Sequence, residues 1–168
     1  GRIRLNGEIA QPKDIVYEAD EIEIDPISET RVDWQPEDIL FDVIYECDDY
    51  LVINKRPGLI MHPGAGCKSG TLANGLLYRY PELTKIPRAG IVHRLDKDTS
   101  GVVVVAKNDK FRNYFVTQLQ NRSVKKIYKA IVVGSMIGSF TIKDPIGRDK
   151  NNRTKMSVNQ NGKEAETF

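Results

Sequence analysis

Four valines in succession, Val102 to Val105, constrain the fold of this chain more than any other stretch. β-Branched side chains fit a pleated surface better than a helix, and a run without polar alternation suits a strand covered on both faces. Such a strand needs partners. Phe41 to Tyr45 and Tyr50 to Asn54 supply two, and the intervening Glu46-Cys47-Asp48-Asp49 reads as the turn of a hairpin. Lys126 to Val133 alternates as a further strand, broken at Gly134. Helical periodicity is confined to two short segments. Thr71 is placed to cap a helix carrying Leu72, Leu76 and Leu77, and Asp109 to cap one in which Phe111, Phe115 and Leu119 recur at four-residue steps. The expected fold class is α+β, with a mixed, mainly antiparallel sheet and few helices.

The leading residues, 1–24, look β-rich: Ile3 and Leu5 alternate with Arg2 and Arg4, Asn6-Gly7 is a tight-turn signal, and Glu21 to Ile24 alternates again. A few short strands cannot bury a core alone. Residues 25–39 hold two prolines, scattered acids and Trp34, and read as a linker with an exposed tryptophan. A compact domain is expected over 40–168, with Asn161-Gly162 as a turn near its end. Charge divides along the chain. Residues 1–50 carry fifteen acidic and four basic side chains, whereas residues 51–168 carry eight and twenty-one. A basic body is either a solvated face or the footprint of a phosphate-rich partner. No apolar run approaches the ~18 residues of a membrane-spanning helix. Cys47 and Cys67 are too few for a disulfide scaffold or a structural zinc site, so a reducing, cytoplasmic setting is expected.

The densest polar cluster runs from His93 through Arg94, Leu95, Asp96, Lys97, Asp98, Thr99 and Ser100 to Gly101, between two apolar strands. Its second half imitates a calcium loop but has Lys107 at the twelfth position, where a bidentate glutamate belongs. His62, Cys67 and His93 have no recognised metal-ligand spacing, so no metal is expected. Gly64 to Ser69 lacks the Gly-Lys-Ser/Thr ending of a phosphate-binding loop, since Cys67 separates Gly66 from Lys68. Asp96 and Asp98 stand two apart, which in an extended segment puts both on one face, and Arg94 and Lys97 can balance them. An ionised carboxylate among cations suits a nucleophile or a base; a salt-bridged turn is an equal reading of the same residues.

The stretch from Arg88-Ala89-Gly90-Ile91-Val92 through His93-Arg94-Leu95-Asp96 to Gly101 resembles the active-site signature of the RluA family of RNA pseudouridine synthases. Asn54 to Gly58 and His62 to Gly66 resemble the family's entry strand and loop, and Lys126 to Ala130 and Asp144 to Arg148 its following motifs. The Pro63 to Gly66 and Arg88 to Arg94 pieces are most similar to the RluD subgroup, which modifies 23S large-subunit ribosomal RNA. The likeness runs in order from about Leu40 to Phe168. Residues 1–24 resemble the second half of an S4-type RNA-binding domain. The family's later Gly-Arg-Thr-His-Gln-Ile-Arg motif is not found, so the chain resembles an internal fragment that is expected to be inactive by itself.

The resemblance implies an isomerase that detaches uracil from its ribose, turns it and rejoins it through carbon, without metal or organic cofactor. Asp96 is then the catalytic carboxylate. Attack on the base, attack on the sugar and removal of a sugar proton all require its ionised form. Tyr128 is implied as the ring that packs on the target base, on a strand position facing a cleft, and Arg94 as the side chain that enters the RNA where the uridine has left. Arg122, Lys125, Lys126 and Lys129, with Arg148, Lys150, Arg153 and Lys155, would follow phosphates, making affinity fall by about 10³–10⁵-fold between about 50 and 200 mM salt. The expected partner is RNA, bound by a monomer. A non-catalytic RNA-binding module and a tRNA-acting relative are the alternatives.

Overall fold

The leading segment folds as its alternation predicts. Strand β1 (Ile3–Leu5) pairs antiparallel with β2 (Glu8–Ile9) and, on its other side, with β3 (Ile22–Ile24). Asn6 and Gly7 both have left-handed backbone, at φ 53° and 83°, the geometry that lets a two-residue hairpin follow the strand twist. The computed structural model describes residues 2–25, 34–64, 66–135, 137–150, 152 and 155–168. They belong to two compact units, Gly1–Lys125 and Lys126–Phe168. Most of the expected linker lies outside the described residues. Trp34, expected to be exposed, is half-buried against the core and stacked on His62, with ring centroids 5.9 Å apart.

The main sheet of the first unit has the order β4 (Asp42–Glu46), β5 (Tyr50–Lys55), β6 (Gly101–Ala106). The hairpin expected around Cys47 is present, and β5 and β6 pair antiparallel from Tyr50↔Ala106 to Lys55↔Gly101. Among the described residues every pairing of named strands is antiparallel, in keeping with the expected α+β class, and the strands form three sheets, one of them in the leading segment.

The core lies on one face of that sheet. Leu51 and Ile53 from β5 and Val103 and Val105 from β6 pack under helix α1 (Leu72–Arg79), which contributes Leu72, Leu76 and Leu77. Thr71 precedes α1 as expected, and Asn74 reaches back to accept a hydrogen bond from the Thr71 N–H at 3.0 Å while donating to the Gln35 carbonyl at 2.7 Å. The valine strand departs from its expected double cover. Val103 and Val105 are fully buried, but Val104 is half-buried and Val102 is 58% exposed. Helix α2 (Asp109–Gln120) supplies the partial cover on that second face through aromatic rings, with Phe111 stacked on Tyr50 at 4.6 Å and on Phe115 at 5.7 Å. Asn108, not Asp109, caps α2, because its side-chain oxygen accepts from the Phe111 N–H at 2.8 Å.

In the second unit the strand expected over Lys126 to Val133 does not form. Alternation specifies the faces of a strand but not its partner, and a strand exists only as part of a ladder. The observed pair is β7 (Ile146–Arg148) with β8 (Met156–Val158), extended by bridges from Ile142 to Thr167 and from Ile146 to Lys163. No helix among the described residues is long and apolar enough to cross a membrane.

Candidate active site

The polar cluster is delivered by a strained turn. Pro87–Gly90 ends with three left-handed residues, Arg88, Ala89 and Gly90, at φ 56°, 51° and 76°. Only the third is a glycine, so the first two hold a conformation costing roughly 1–2 kcal/mol each. Packing compensates: Ala89 and Gly90 are buried, and Gly90 lies directly against the Ala106 backbone at the end of β6. From there Ile91 bridges to Val105, His93 lies half-buried beside Phe115 with ring centroids 6.3 Å apart, and Leu95 is inserted into the core.

The next four residues form a turn, closed by the Thr99 N–H donating to the Asp96 carbonyl at 3.1 Å. Its Lys97 carbonyl is held twice, by the Gly58 N–H at 2.8 Å and by the Lys55 ammonium at 2.9 Å. The same ammonium donates to the Arg56 carbonyl at 3.0 Å. With Leu95 anchored inward and the Lys97 carbonyl tied to the floor, the Asp96, Lys97 and Asp98 side chains are presented to solvent, with Arg94 also exposed. An exposed carboxylate on a tethered turn, among cations, can act as a nucleophile or base without first reorganising its backbone.

Lys55 is fully buried. Burial pushes its ammonium below the ordinary lysine value, and the negative charges of Asp98 and then Asp96 partly offset that. A buried cation thus lies within electrostatic reach of both carboxylates. Lys55 follows Leu51 and Ile53 at period two, so its place on the core face was legible from alternation, but its hold on a residue 42 positions away was not. Lys55→Met keeps the bulk and removes both hydrogen bonds. Gly58 still satisfies the Lys97 carbonyl, so the expected loss of stability is about 1–3 kcal/mol, measured by denaturant unfolding. An unchanged midpoint would mean that the two bonds contribute nothing net.

Arg94 and Asp96 therefore lie together in the first unit. Tyr128 belongs to the second, where it is 61% exposed on a segment with no ladder, not on the expected strand. Of the basic residues, Arg122 and Lys125 lie in the first unit and Lys126, Lys129, Arg148, Lys150 and Lys155 in the second, all exposed; Arg153 is outside the described residues, as is Ala65 of the His62 loop.

A family model described as RNA pseudouridylate synthase matches residues 49–168. The chain is 46% identical over 165 residues to the ribosomal large subunit pseudouridine synthase D of Pseudomonas aeruginosa, covering 98% of this chain and 52% of that protein. It is 45% identical over 167 residues to the protein of the same name from Xanthomonas campestris, and 42% identical over 167 residues to that of Escherichia coli O6:H1; each match covers 99% of this chain and 50% or 51% of the relative. The chain thus spans about half the length of the curated relatives it matches. Among solved structures, human RNA pseudouridylate synthase domain containing 1 is similar with a TM-score of 0.56 and 27% identity, over 78% of this chain and 50% of that one. The Asp96 turn and most of the strand and helix framework that holds it fall inside the matched region, and on these matches the chain belongs to the RNA pseudouridylate synthase family, with RluD-like enzymes among its relatives.

Proposed function

We propose that the protein isomerises specific uridines of large-subunit ribosomal RNA to pseudouridine. The observation that carries this reading is an ionisable, solvent-facing Asp96 on a doubly tethered turn, in a chain 42–46% identical to large-subunit pseudouridine synthases over nearly its whole length. In the reaction the bond from uracil N1 to ribose C1′ breaks, a bond from C5 to C1′ forms, and the hydrogen on C5 leaves while N1 gains one. No electrons are exchanged with an outside partner. Asp96 serves as the catalytic carboxylate, Tyr128 stacks on the target base and Arg94 fills the space it leaves. Residues 1–24 form the C-terminal part of an S4-like RNA-binding domain, residues 25–39 a linker and 40–168 catalytic domain; the protein works as a monomer in the cytoplasm.

Pseudouridine-specific chemical mapping of large-subunit RNA, from cells with and without the full-length gene, tests the reading. Loss of modification at defined uridines is expected on deletion. Loss confined to tRNA would move the substrate to another RNA class, and no loss anywhere would favour a non-catalytic RNA-binding protein.

Arg94 and Tyr128 can be told apart by their dependence on RNA pairing. Arg94→Ala lets the duplex close behind the departing base, so single-turnover rate and affinity should both fall, and an unpaired target should restore them in part, since unstacking costs least there. Tyr128→Phe keeps the stacking face, worth about 1–3 kcal/mol, and should bind normally but react slowly on paired and unpaired targets alike if the hydroxyl moves a proton. Equal rescue of both variants, or of neither, would leave Arg94 as a structural partner of the carboxylate turn.

A further inference from the structure

We propose that His93 is a positioning residue for Asp96, acting through a hydrogen bond that only the neutral imidazole can make; this rests on the functional reading above. The Val104 N–H donates to His93 Nε2 at 2.8 Å. Val104 sits on β6 opposite Val52, and on the other side of the strand the isolated bridge from Ile91 to Val105 stops short of a ladder with a fourth named strand. An unpaired N–H on a half-buried sheet edge is costly, and here an imidazole nitrogen stands where the carbonyl of a fourth strand would. An acceptor Nε2 carries no proton, which fixes the ring as the tautomer protonated on Nδ1. A second proton would set two donors face to face and release the segment from β6.

The position of this bond gives it consequence. His93 lies three residues before Asp96, and the Lys97 carbonyl, one residue after it, is tied to Gly58 and Lys55. The carboxylate is therefore suspended between two tethers, one of which titrates. Among the contacts to the ring are the Val104 N–H of β6 and the Phe115 ring of α2. The charged residues near these elements are Lys107, which pairs with Glu46 at 2.9 Å, and Asp109, Lys110 and Arg112 of α2, and the ring's own segment adds Arg94 and Asp96.

The test compares wild type, His93→Gln and His93→Phe in the full-length protein. Glutamine presents a non-titrating oxygen near the place of Nε2, whereas phenylalanine keeps the ring and removes the acceptor. Long-range nitrogen–proton spectra should show His93 with Nε2 unprotonated at pH 8, its resonances identified by their loss in His93→Gln. Amide exchange at Val104 and across residues 94–98, corrected for intrinsic rates, should accelerate as the wild-type imidazole protonates, but not in His93→Gln. On RNA, His93→Phe should lower the single-turnover rate by about 10²-fold with little change in affinity, the scale of a misplaced catalytic group. His93→Gln should recover most of that rate at pH 8 and lack the wild-type fall below neutral pH. A protonated Nε2 at pH 8, or Val104 exchange indifferent to the titration, would overturn the inference, as would identical acid limbs in wild type and His93→Gln. The spectra and exchange do not depend on turnover, so they decide the inference even if the functional reading fails.

Discussion

Asp96→Asn is expected to silence the full-length protein while leaving its affinity for RNA within a few-fold of wild type. The substitution is close to isosteric, and the turn that carries the residue is held by the Asp96 and Lys97 carbonyls, the Gly58 and Thr99 N–H groups and the Lys55 ammonium, none of which the Asp96 side chain supplies. The backbone should therefore stay where it is. What disappears is the negative charge, on which attack at the base, attack at the sugar and proton abstraction all depend. Loss of a nucleophile or base in other enzymes costs on the order of 10⁴–10⁶-fold in rate, and a drop of roughly 10⁴-fold or more is expected in single-turnover pseudouridine formation. RNA binding should be retained, because removing an anion from a basic surface takes away repulsion. A fall of less than about tenfold would place the catalytic carboxylate elsewhere.

The second large effect is on folding. A Cβ on Gly90 would collide with the Ala106 carbonyl oxygen and lie 3.1 Å from its carbon and from a Val105 methyl, so the severe overlap is with backbone that cannot yield. Gly90 also has φ 76°, which an L side chain adopts only under strain. Steric overlap and backbone strain act together in Gly90→Ala, and a loss of at least about 4 kcal/mol is expected, a large share of the stability of an ordinary domain. Circular dichroism and denaturant unfolding of the purified variant would check it. Gly58→Ala, where φ is 84° but nothing lies within 4 Å of the added methyl, isolates the strain alone and should cost far less. Equal losses in the two variants would mean that the close approach to β6 plays no part.

These residues mark how far the sequence could be read. Local signals served well where the deciding interaction was local. The Asn6-Gly7 turn, the hairpin around Cys47, the helix after Thr71 and the periodicity of Phe111, Phe115 and Leu119 each depend on neighbours within a few positions. Expectations that depended on an unseen partner fared worse. Lys126 to Val133 has the alternation of a strand but no ladder, and Val102 has the character of a buried strand residue but an open face. At the site, the polar run around Asp96 was conspicuous because an apolar strand follows it. Its supports were not, since the Lys55 ammonium, the Gly58 N–H and the Val104 N–H reach it across 42, 39 and 11 positions. Spacing alone carries no record of such long-range bonds.

The most direct measurement follows from the atoms that move. If uracil is released from C1′ and rejoined through C5, the hydrogen on C5 must leave for solvent. Large-subunit ribosomal RNA labelled with tritium at uridine C5, incubated with the purified full-length protein, should release tritium into water in whole-number ratio to the modified sites, and the Asp96→Asn protein should release none. Tight binding of that RNA by the wild-type protein with no tritium released would contradict the assignment.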